Sequence, residues 1–206
     1  MSASATTSTD PGAHGAAARP ARPGPEQALD AAGLMVYEGV RVDMGELAQR
    51  VGVGRATLYR WFGSREELLD GLLERFALMF LEQAREQARG EGDAWVLDVT
   101  RRLMEAAVEF EPARRFVARE PQLALRLLLG AGGAVHRTLS RALREALAEV
   151  HSEREMAALE PSIEPMVQVA TALQWATFAI GDEPQIEQAV ELVGLMLSAA
   201  HEGARG

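Results

Sequence analysis

The sequence contains no cysteine and no lysine among its 206 residues. Without cysteine, the chain has no disulfide framework, no thiol nucleophile and no cysteine-ligated zinc site. All 21 basic residues are arginine, against 30 acidic residues, and the formal net charge is −9. Because such a chain repels nucleic acid over most of its surface, a DNA-binding function requires a local concentration of positive charge.

Long hydrophobic runs are also missing. No apolar run approaches the roughly 18 residues that a membrane span requires, although 48% of the residues are hydrophobic. Residues 1–24 consist mainly of Ser, Thr, Ala, Gly and Pro and lack the apolar block of a signal peptide, so we expect a flexible tail there. These features predict a soluble, cytoplasmic protein with no membrane partner.

Strand-like alternation is nearly absent, and hydrophobic residues recur every three to four positions. This pattern predicts an all-α fold of about nine helices. We expect an N-terminal three-helix domain over 25–75, and a larger helical domain over 76–206. Pro161 and Pro165 predict that a strongly apolar helix begins after them and runs to Ile180.

The required positive charge lies in one short segment. Between Arg50 and Arg65 the chain carries four arginines, the others being Arg55 and Arg60, and no acid. The segment has the pattern of a helix that Asp43 caps, a tight turn, a second helix and the start of a third. We therefore predict a helix-turn-helix over about 43–62 that meets nucleic acid phosphates.

The second helix of this motif has a buried stripe and an outward face. At 100° per residue, Leu58, Trp61 and Phe62 share one side. The opposite side and its flanks are small, hydroxyl-bearing and basic, which suits a helix in the major groove. The candidate DNA-binding residues are Arg55, Ala56, Thr57, Tyr59 and Arg60, with Arg65 at the start of the next helix, where an anion is favoured. The alternative is a helical hairpin that only packs, with its arginines in solvent.

The stretch MGELAQRVGVGRATLYRWFGSREELL resembles the DNA-binding signature of TetR-type transcriptional repressors. The matching elements are Leu47-Ala48, Gly52-Val53, Thr57-Leu58-Tyr59 and the link from Trp61 to Glu66. The resemblance implies that Arg55, Ala56 and Thr57 approach bases, while Tyr59 and Arg65 hold phosphates. One departure is Asp43, which stands where many relatives carry a threonine that touches a phosphate; a carboxylate would repel that phosphate.

The resemblance also implies that the larger domain binds a ligand and dimerises. The segment beginning Arg119-Glu-Pro-Gln and the later Gly181-Asp-Glu-Pro look like the effector domain of the QsdR type, a group named for a regulator of quorum-sensing-signal degradation. This makes a lactone-like or other small apolar effector plausible. Seven residues are candidates for lining its cavity, although aromatic residues at helical spacing also fill ordinary cores: Trp95, Met104, Phe110, Phe116, His136, Trp175 and Phe178.

The histidines give no reason to expect a metal. His136 and His151 are isolated in the sequence, with no partners at ligand spacing, so we expect no metal site and no cofactor.

The last two helices present apolar faces that predict a four-helix dimer interface. The alternative is that these faces are buried within one chain. The residues concerned are Val167, Ala170, Leu173, Gln174, Ile186, Val190, Val193 and Leu197.

The sequence therefore predicts a homodimeric, ligand-responsive repressor that a small molecule releases from a palindromic operator in double-stranded DNA. One alternative is a nucleoid- or division-associated DNA-binding protein of the same fold without a small-molecule effector. The other is an all-helical enzyme. We expect no enzymatic activity, because the sequence has no cysteine, no Gly-rich phosphate loop and no convincing histidine–carboxylate pairing.

Overall fold

The computed structural model describes residues 23–205, and every regular element in that range is an α-helix. The all-α fold class is confirmed, and the predicted tail lies outside the described residues except for positions 23 and 24. The ten helices are α1 (Pro25–Tyr37), α2 (Met44–Val51), α3 (Arg55–Phe62), α4 (Arg65–Gln87), α5 (Asp93–Glu109), α6 (Glu111–Arg119), α7 (Pro121–Leu129), α8 (Ala134–Val150), α9 (Glu153–Ala179) and α10 (Ile186–Arg205).

Local signals in the sequence shape the helix-turn-helix. The Asp43 carboxylate caps α2 by accepting hydrogen bonds from the backbone N–H of Gly45 at 2.8 Å and of Glu46 at 3.1 Å. These bonds hold the pKa of Asp43 below its usual range. Gly52 ends α2 with φ +74°, a left-handed conformation that favours glycine. The Ser64 hydroxyl then caps α4 through the N–H of Glu67 at 3.1 Å.

The N-terminal core joins α1, α2, α3 and the first half of α4. Met35, Leu47, Leu58 and Leu68 are fully buried in it. Leu127 of α7 belongs to the same cluster, so the larger domain packs directly against the helix-turn-helix. Helix α4 is continuous through position 75, where we expected the domain boundary, and is therefore shared by both parts.

A second core lies among α5, α8, α9 and α10. Val167, Gln174, Val190, Val193 and Leu197 are all buried in the single chain. These faces are therefore buried within one chain, because α9 and α10 pack against each other and against α5. The prediction that the same faces form the dimer interface is wrong. The large exposed apolar residues here are Ile180, which directly follows α9, and Leu192 and Leu195, which lie on the opposite side of α10.

Helix α9 begins at Glu153 and contains Pro161 and Pro165 in its interior, so the prediction that the helix starts after the prolines is wrong. Ser152 and Glu155 form a complete capping box at the true start. Each proline removes one backbone donor. The helix continues because it buries apolar residues on both sides of the prolines: Leu159, Ile163 and Met166 are fully buried.

None of the helices in the described range combines the length and apolar character needed to cross a membrane.

Candidate functional site

Helix α3 turns a polar face towards solvent. Arg55, Ala56, Tyr59 and Arg60 are exposed and Thr57 is half-buried, while Leu58 on the other side is fully buried. The side chains predicted to approach bases therefore share one accessible surface, with the guanidinium of Arg55 at the N-terminal end of the helix.

The four arginines of this segment are in different electrostatic situations. Arg55 and Arg60 form no close ion pair or hydrogen bond among the described residues, although Arg55 lies near enough to the Asp43 carboxylate to help lower the pKa of that group. By contrast, Arg50 contacts Glu38 at 2.6 Å and Glu46 at 3.0 Å. Its charge is locally neutralised, whereas the positive charge of α3 remains available to a phosphate or a base.

Arg65 points into the interface between the N-terminal domain and the larger helical domain. Its two terminal nitrogens contact the Glu120 carboxylate at 2.9 and 2.7 Å, and its Nε donates to the carbonyl of Val42 at 2.6 Å. Only 19% of the side chain is exposed. This geometry differs from the predicted phosphate contact, because all three donor groups are already used inside the molecule.

Glu120 connects the junction of α6 and α7 to the helix-turn-helix. Besides Arg65, it accepts from Arg41 at 3.2 and 3.4 Å. Arg65 foremost, and Arg41 after it, hold the pKa of Glu120 below its usual range. The neighbouring Arg119 donates to the carbonyl of Gly39 at 3.1 Å, so two consecutive residues fasten this junction to the loop between α1 and α2.

The larger domain encloses an apolar cavity of about 110 Å³. Its walls come from α4, α5, α8 and α9, with contributions from α6, α7 and α10. The polar side chains at the wall are Thr100, Thr171 and Gln174. Both threonine hydroxyls donate to carbonyls of their own helices, and the Gln174 amide donates to the carbonyl of Met104 at 2.9 Å.

Of the seven residues predicted to line a cavity, Met104, Phe110 and Trp175 lie in this wall. Phe178 packs edge-on against Trp175 at 6.3 Å, and Trp95 lies under the guanidinium of Arg85 at 5.1 Å. Phe116 packs against the N-terminal core, and His136 is buried elsewhere with its Nδ1 unpartnered. These four side chains therefore lie outside the wall of the cavity.

Besides Trp175, three phenylalanines line the cavity: Phe76, Phe80 and Phe110. Their rings form a cluster with Tyr37 at the end of α1, in which Phe110 lies 5.2 Å from Tyr37, 5.0 Å from Phe76 and 5.4 Å from Phe80. Phe76 and Phe80 lie four residues apart on one face of α4, and this spacing was a usable signal in the sequence. The cavity wall thus reaches the N-terminal domain through this ring cluster.

His151 is not isolated, contrary to the sequence-based expectation. Its Nε2 lies 2.7 Å from a carboxylate oxygen of Asp93, and its ring is 4.7 Å from that of His201. These three residues belong to different helix ends, and their spacing in the chain gave no sign of this cluster.

Two known families match separate parts of the chain. Residues 30–72 match the family described as "Bacterial regulatory proteins, tetR family". Residues 91–198 match the family described as "Tetracyclin repressor-like, C-terminal domain". No curated protein matches the sequence.

Solved structures also resemble the chain over most of its length. The R. erythropolis transcriptional repressor QsdR from the TetR family is 28% identical with a TM-score of 0.75, covering 84% of this chain and 94% of QsdR. The TetR family repressor AlkX from Dietzia sp. strain DQ12-45-1b is 19% identical with a TM-score of 0.62, covering 86% of this chain and 95% of AlkX. The first likeness confirms the resemblance to the QsdR type, and the second shows a shared fold.

Proposed function

Because this chain belongs to the tetR family of bacterial regulatory proteins, we propose that it is a homodimeric repressor that a small molecule releases from a palindromic operator. The observation that carries this proposal is the apolar cavity, whose wall includes the same helix, α4, that follows the recognition helix α3. The protein would act in the cytoplasm, where its operator DNA is present.

Helix α3 supplies the operator contacts in this proposal. Arg55, Ala56 and Thr57 approach base edges in the major groove, and Tyr59 donates its hydroxyl to a phosphate. Arg60 lies on the same exposed face with either a base or a phosphate in reach. Arg65 has a different role, because its ion pair with Glu120 holds the start of α4 against the larger domain.

Thr57 offers a sharp test of base reading, because its methyl and hydroxyl groups can be removed separately. We expect Thr57→Ala to change discrimination at one operator position by about 1–3 kcal/mol. Thr57→Ser restores the preference if the hydroxyl reads the base, and Thr57→Val restores it if the methyl contacts a thymine. Binding of a panel of single-base operator variants measures this, and identical profiles for all four proteins would remove Thr57 from the reading set.

The cavity suits a small, mostly apolar effector with one polar group. At about 110 Å³ it is slightly smaller than the roughly 150 Å³ apolar cavity that accommodates benzene. A longer acyl chain therefore requires the walls to separate, and its binding would favour a conformation with displaced helices. An acyl lactone or a related apolar metabolite meets these requirements.

Helix α6 is placed to transmit such a displacement. It begins directly after Phe110, whose ring lies in the cavity wall, and its last residue is followed by Glu120, which is bound to Arg65 and Arg41. A ligand that moves Phe110 would shift this nine-residue helix and the ion pairs at its end. The two recognition helices of a dimer would then be spaced wrongly for successive major grooves.

Gln174 tests the polar part of the effector site. We expect Gln174→Leu to weaken release by an acyl lactone about two- to tenfold, the net value of one hydrogen bond of about 0.5–1.5 kcal/mol. The same substitution should not weaken release of the DNA by the corresponding alkane. The measurement is the ligand concentration that releases half of the bound DNA, with Gln168→Leu on the exposed side of α9 as the control. Equal losses for both ligands would contradict a polar contact at Gln174.

The dimer would use the outer side of α9 and α10. The exposed apolar residues there are Ile180, Leu192 and Leu195, of which Ile180 is 77% and Leu195 59% exposed. An exposed apolar patch of this kind is typical of a protein–protein contact. Two helices from each chain would form a four-helix contact.

A ligand-dependent gel shift with the native operator tests the proposed function. We expect at least one apolar metabolite from a broad panel to release the DNA at a saturating concentration. Stable DNA binding that no ligand changes would instead favour the nucleoid- or division-associated alternative. Failure to retain DNA at low salt, together with substrate turnover, would favour an enzyme.

A further inference from the structure

Three helix ends meet at a cluster of one carboxylate and two imidazoles. Asp93 is the first residue of α5, His151 follows the last residue of α8, and His201 lies near the end of α10. Each offers one ligand atom, and these atoms all lie within 4.8 Å of one another. Both oxygens of Asp93 are engaged, one 2.7 Å from Nε2 of His151 and the other 3.5 Å from Nδ1 of His201.

Hydrogen bonding within the protein does not account for the whole cluster. The side chain of His151 is only 9% exposed and that of His201 17%. His201 is held to Asp93 only by a contact of 3.5 Å at Nδ1, which is too long for a good hydrogen bond. Two neutral imidazoles and a carboxylate are the ligand types that divalent transition metals select.

We propose that Asp93, His151 and His201 form a binding site for a divalent transition metal, with Zn²⁺ as the ion of choice. Three protein ligands leave one tetrahedral position for a water molecule.

The distances are close to those that such an ion needs. Bonds of about 2.0–2.2 Å in a tetrahedral site place ligand atoms about 3.3–3.5 Å apart. The 3.5 Å separation between Oδ2 of Asp93 and Nδ1 of His201 agrees with this value. Oδ1, the other oxygen of Asp93, lies 2.7 Å from Nε2 of His151, so the carboxylate must rotate for one oxygen to face both imidazoles, and this contact must lengthen by less than about 1 Å. The two histidine ligand atoms, within 4.8 Å, must approach by up to roughly 1.5 Å, which side-chain rotation can provide.

Glu155 lies beside His151 but is not one of the three proposed ligands. Its Oε2 lies 3.9 Å from Nδ1 of His151, the ring nitrogen that faces away from Asp93. The backbone N–H and the hydroxyl of Ser152 hold this oxygen at 2.9 and 2.7 Å. A carboxylate behind a metal-bound imidazole orients the ring and increases its basicity. The 3.9 Å separation is too long for a hydrogen bond, so Glu155 becomes a positioning residue for His151 when metal binding moves the ring closer to it.

The site lies far from the helix-turn-helix. Helix α4 begins beside α3 and its 23 residues span about 34 Å, and Asp93 follows a short turn after the end of α4. A metal at this end of the bundle would fasten α10 to α5 and α8. It would therefore stabilise one of the helices of the proposed dimer contact.

Calorimetric titration of the chelator-treated full-length protein with Zn²⁺ tests this site. We expect one saturable site per chain, and we expect Mg²⁺, which prefers oxygen ligands, not to occupy it. His201→Gln and His151→Gln should each weaken Zn²⁺ binding by more than about 100-fold, and Glu155→Gln by about 10- to 100-fold. The matched control is Glu153→Gln, an exposed acid in the same helical turn, which should leave the affinity unchanged.

Cobalt substitution provides a second measurement that does not depend on stability. Co²⁺ in the wild-type protein should give the visible absorption of a low-coordinate nitrogen and oxygen site, and Glu155→Gln, a surface change, should weaken its binding without unfolding the chain. Absence of saturable Zn²⁺ binding would overturn the proposal, as would equal affinity in the wild-type protein and the two histidine variants. The cluster would then be an ordinary hydrogen-bonded contact.

Discussion

Replacing Arg55 and Arg60 together with alanine is expected to reduce operator affinity by roughly 30-fold to more than 10,000-fold, or about 2–6 kcal/mol when both contact bases. The physical reason is that these arginines lie exposed on α3 and have no ion-pair partner among the described residues. Their charge is therefore available to DNA, and only that of Arg55 is partly offset, by the nearby Asp43 carboxylate.

The matched control for this experiment removes the same charge from paired positions. Arg50 is bound to Glu38 and Glu46, and Arg75 to Asp30. The double variant Arg50→Ala/Arg75→Ala has the same net charge as Arg55→Ala/Arg60→Ala, but should lose far less affinity. Equal losses in the two double variants would mean that net charge, rather than the surface of α3, governs binding.

The salt dependence of binding separates base contacts from phosphate contacts. Each lost phosphate contact lowers the slope of log K against log salt by about 0.9. If Arg60 contacts a phosphate, the single variant Arg60→Ala lowers the slope by this amount and weakens all sequences alike. If it contacts a base, the slope changes little and sequence preference relaxes.

Replacing Glu120 with alanine is expected to destabilise the protein by about 1.5–3 kcal/mol, the value of hydrogen bonds to a charged group. The change leaves the guanidinium of Arg65 without its partner in an interface where each side chain is about one-fifth exposed. A fully buried pair would cost more, about 3–5 kcal/mol. Chemical denaturation measures the free energy of unfolding, with the exposed acid of the same region, Glu111→Gln, as the control.

The Glu120 contact also predicts a pH dependence with a definite sign. In the folded chain the pKa of Glu120 is lowered, so the unfolded chain, with an ordinary glutamate pKa of about 4.3, binds a proton more readily. The stabilisation is therefore complete above about pH 4.3 and is lost as the pH falls towards the folded value. Glu120→Gln should remove this component of acid unfolding, while Glu111→Gln should retain it.

The same variant tests communication between the cavity and the DNA. If α6 transmits the effector signal through Glu120, then Glu120→Gln should bind the effector but show a weaker effect of effector on DNA affinity. An unchanged ratio of DNA affinities with and without effector would show that the signal travels by another route. The Glu111→Gln control should preserve the full ratio.

Sequence reasoning worked where the determinants are local. The cap at Asp43, the turn at Gly52 and the buried stripe through Leu58 all arise from residues within about one helical turn of each other. The exposed face of α3 follows directly from these elements, so its composition could be read before the fold was known.

The same reasoning failed where contacts join distant parts of the chain. Arg65 looked free to hold a phosphate because its partner, Glu120, lies 55 positions away. The pairing of His151 with Asp93 spans 58 positions. Helical periodicity identifies which face of α9 or α10 is buried, but not what covers that face. The sequence therefore predicts a dimer contact where the structure has packing within one chain.

Selection of bound DNA from a random double-stranded pool is the most direct test of the central claim, that this chain reads an operator through α3. The account predicts strong enrichment of an inverted repeat, which the wild-type protein releases on addition of an apolar effector and which Arg55→Ala/Arg60→Ala fails to enrich. Recovery of unenriched sequence, or enrichment of the same repeat by the double variant, would contradict it.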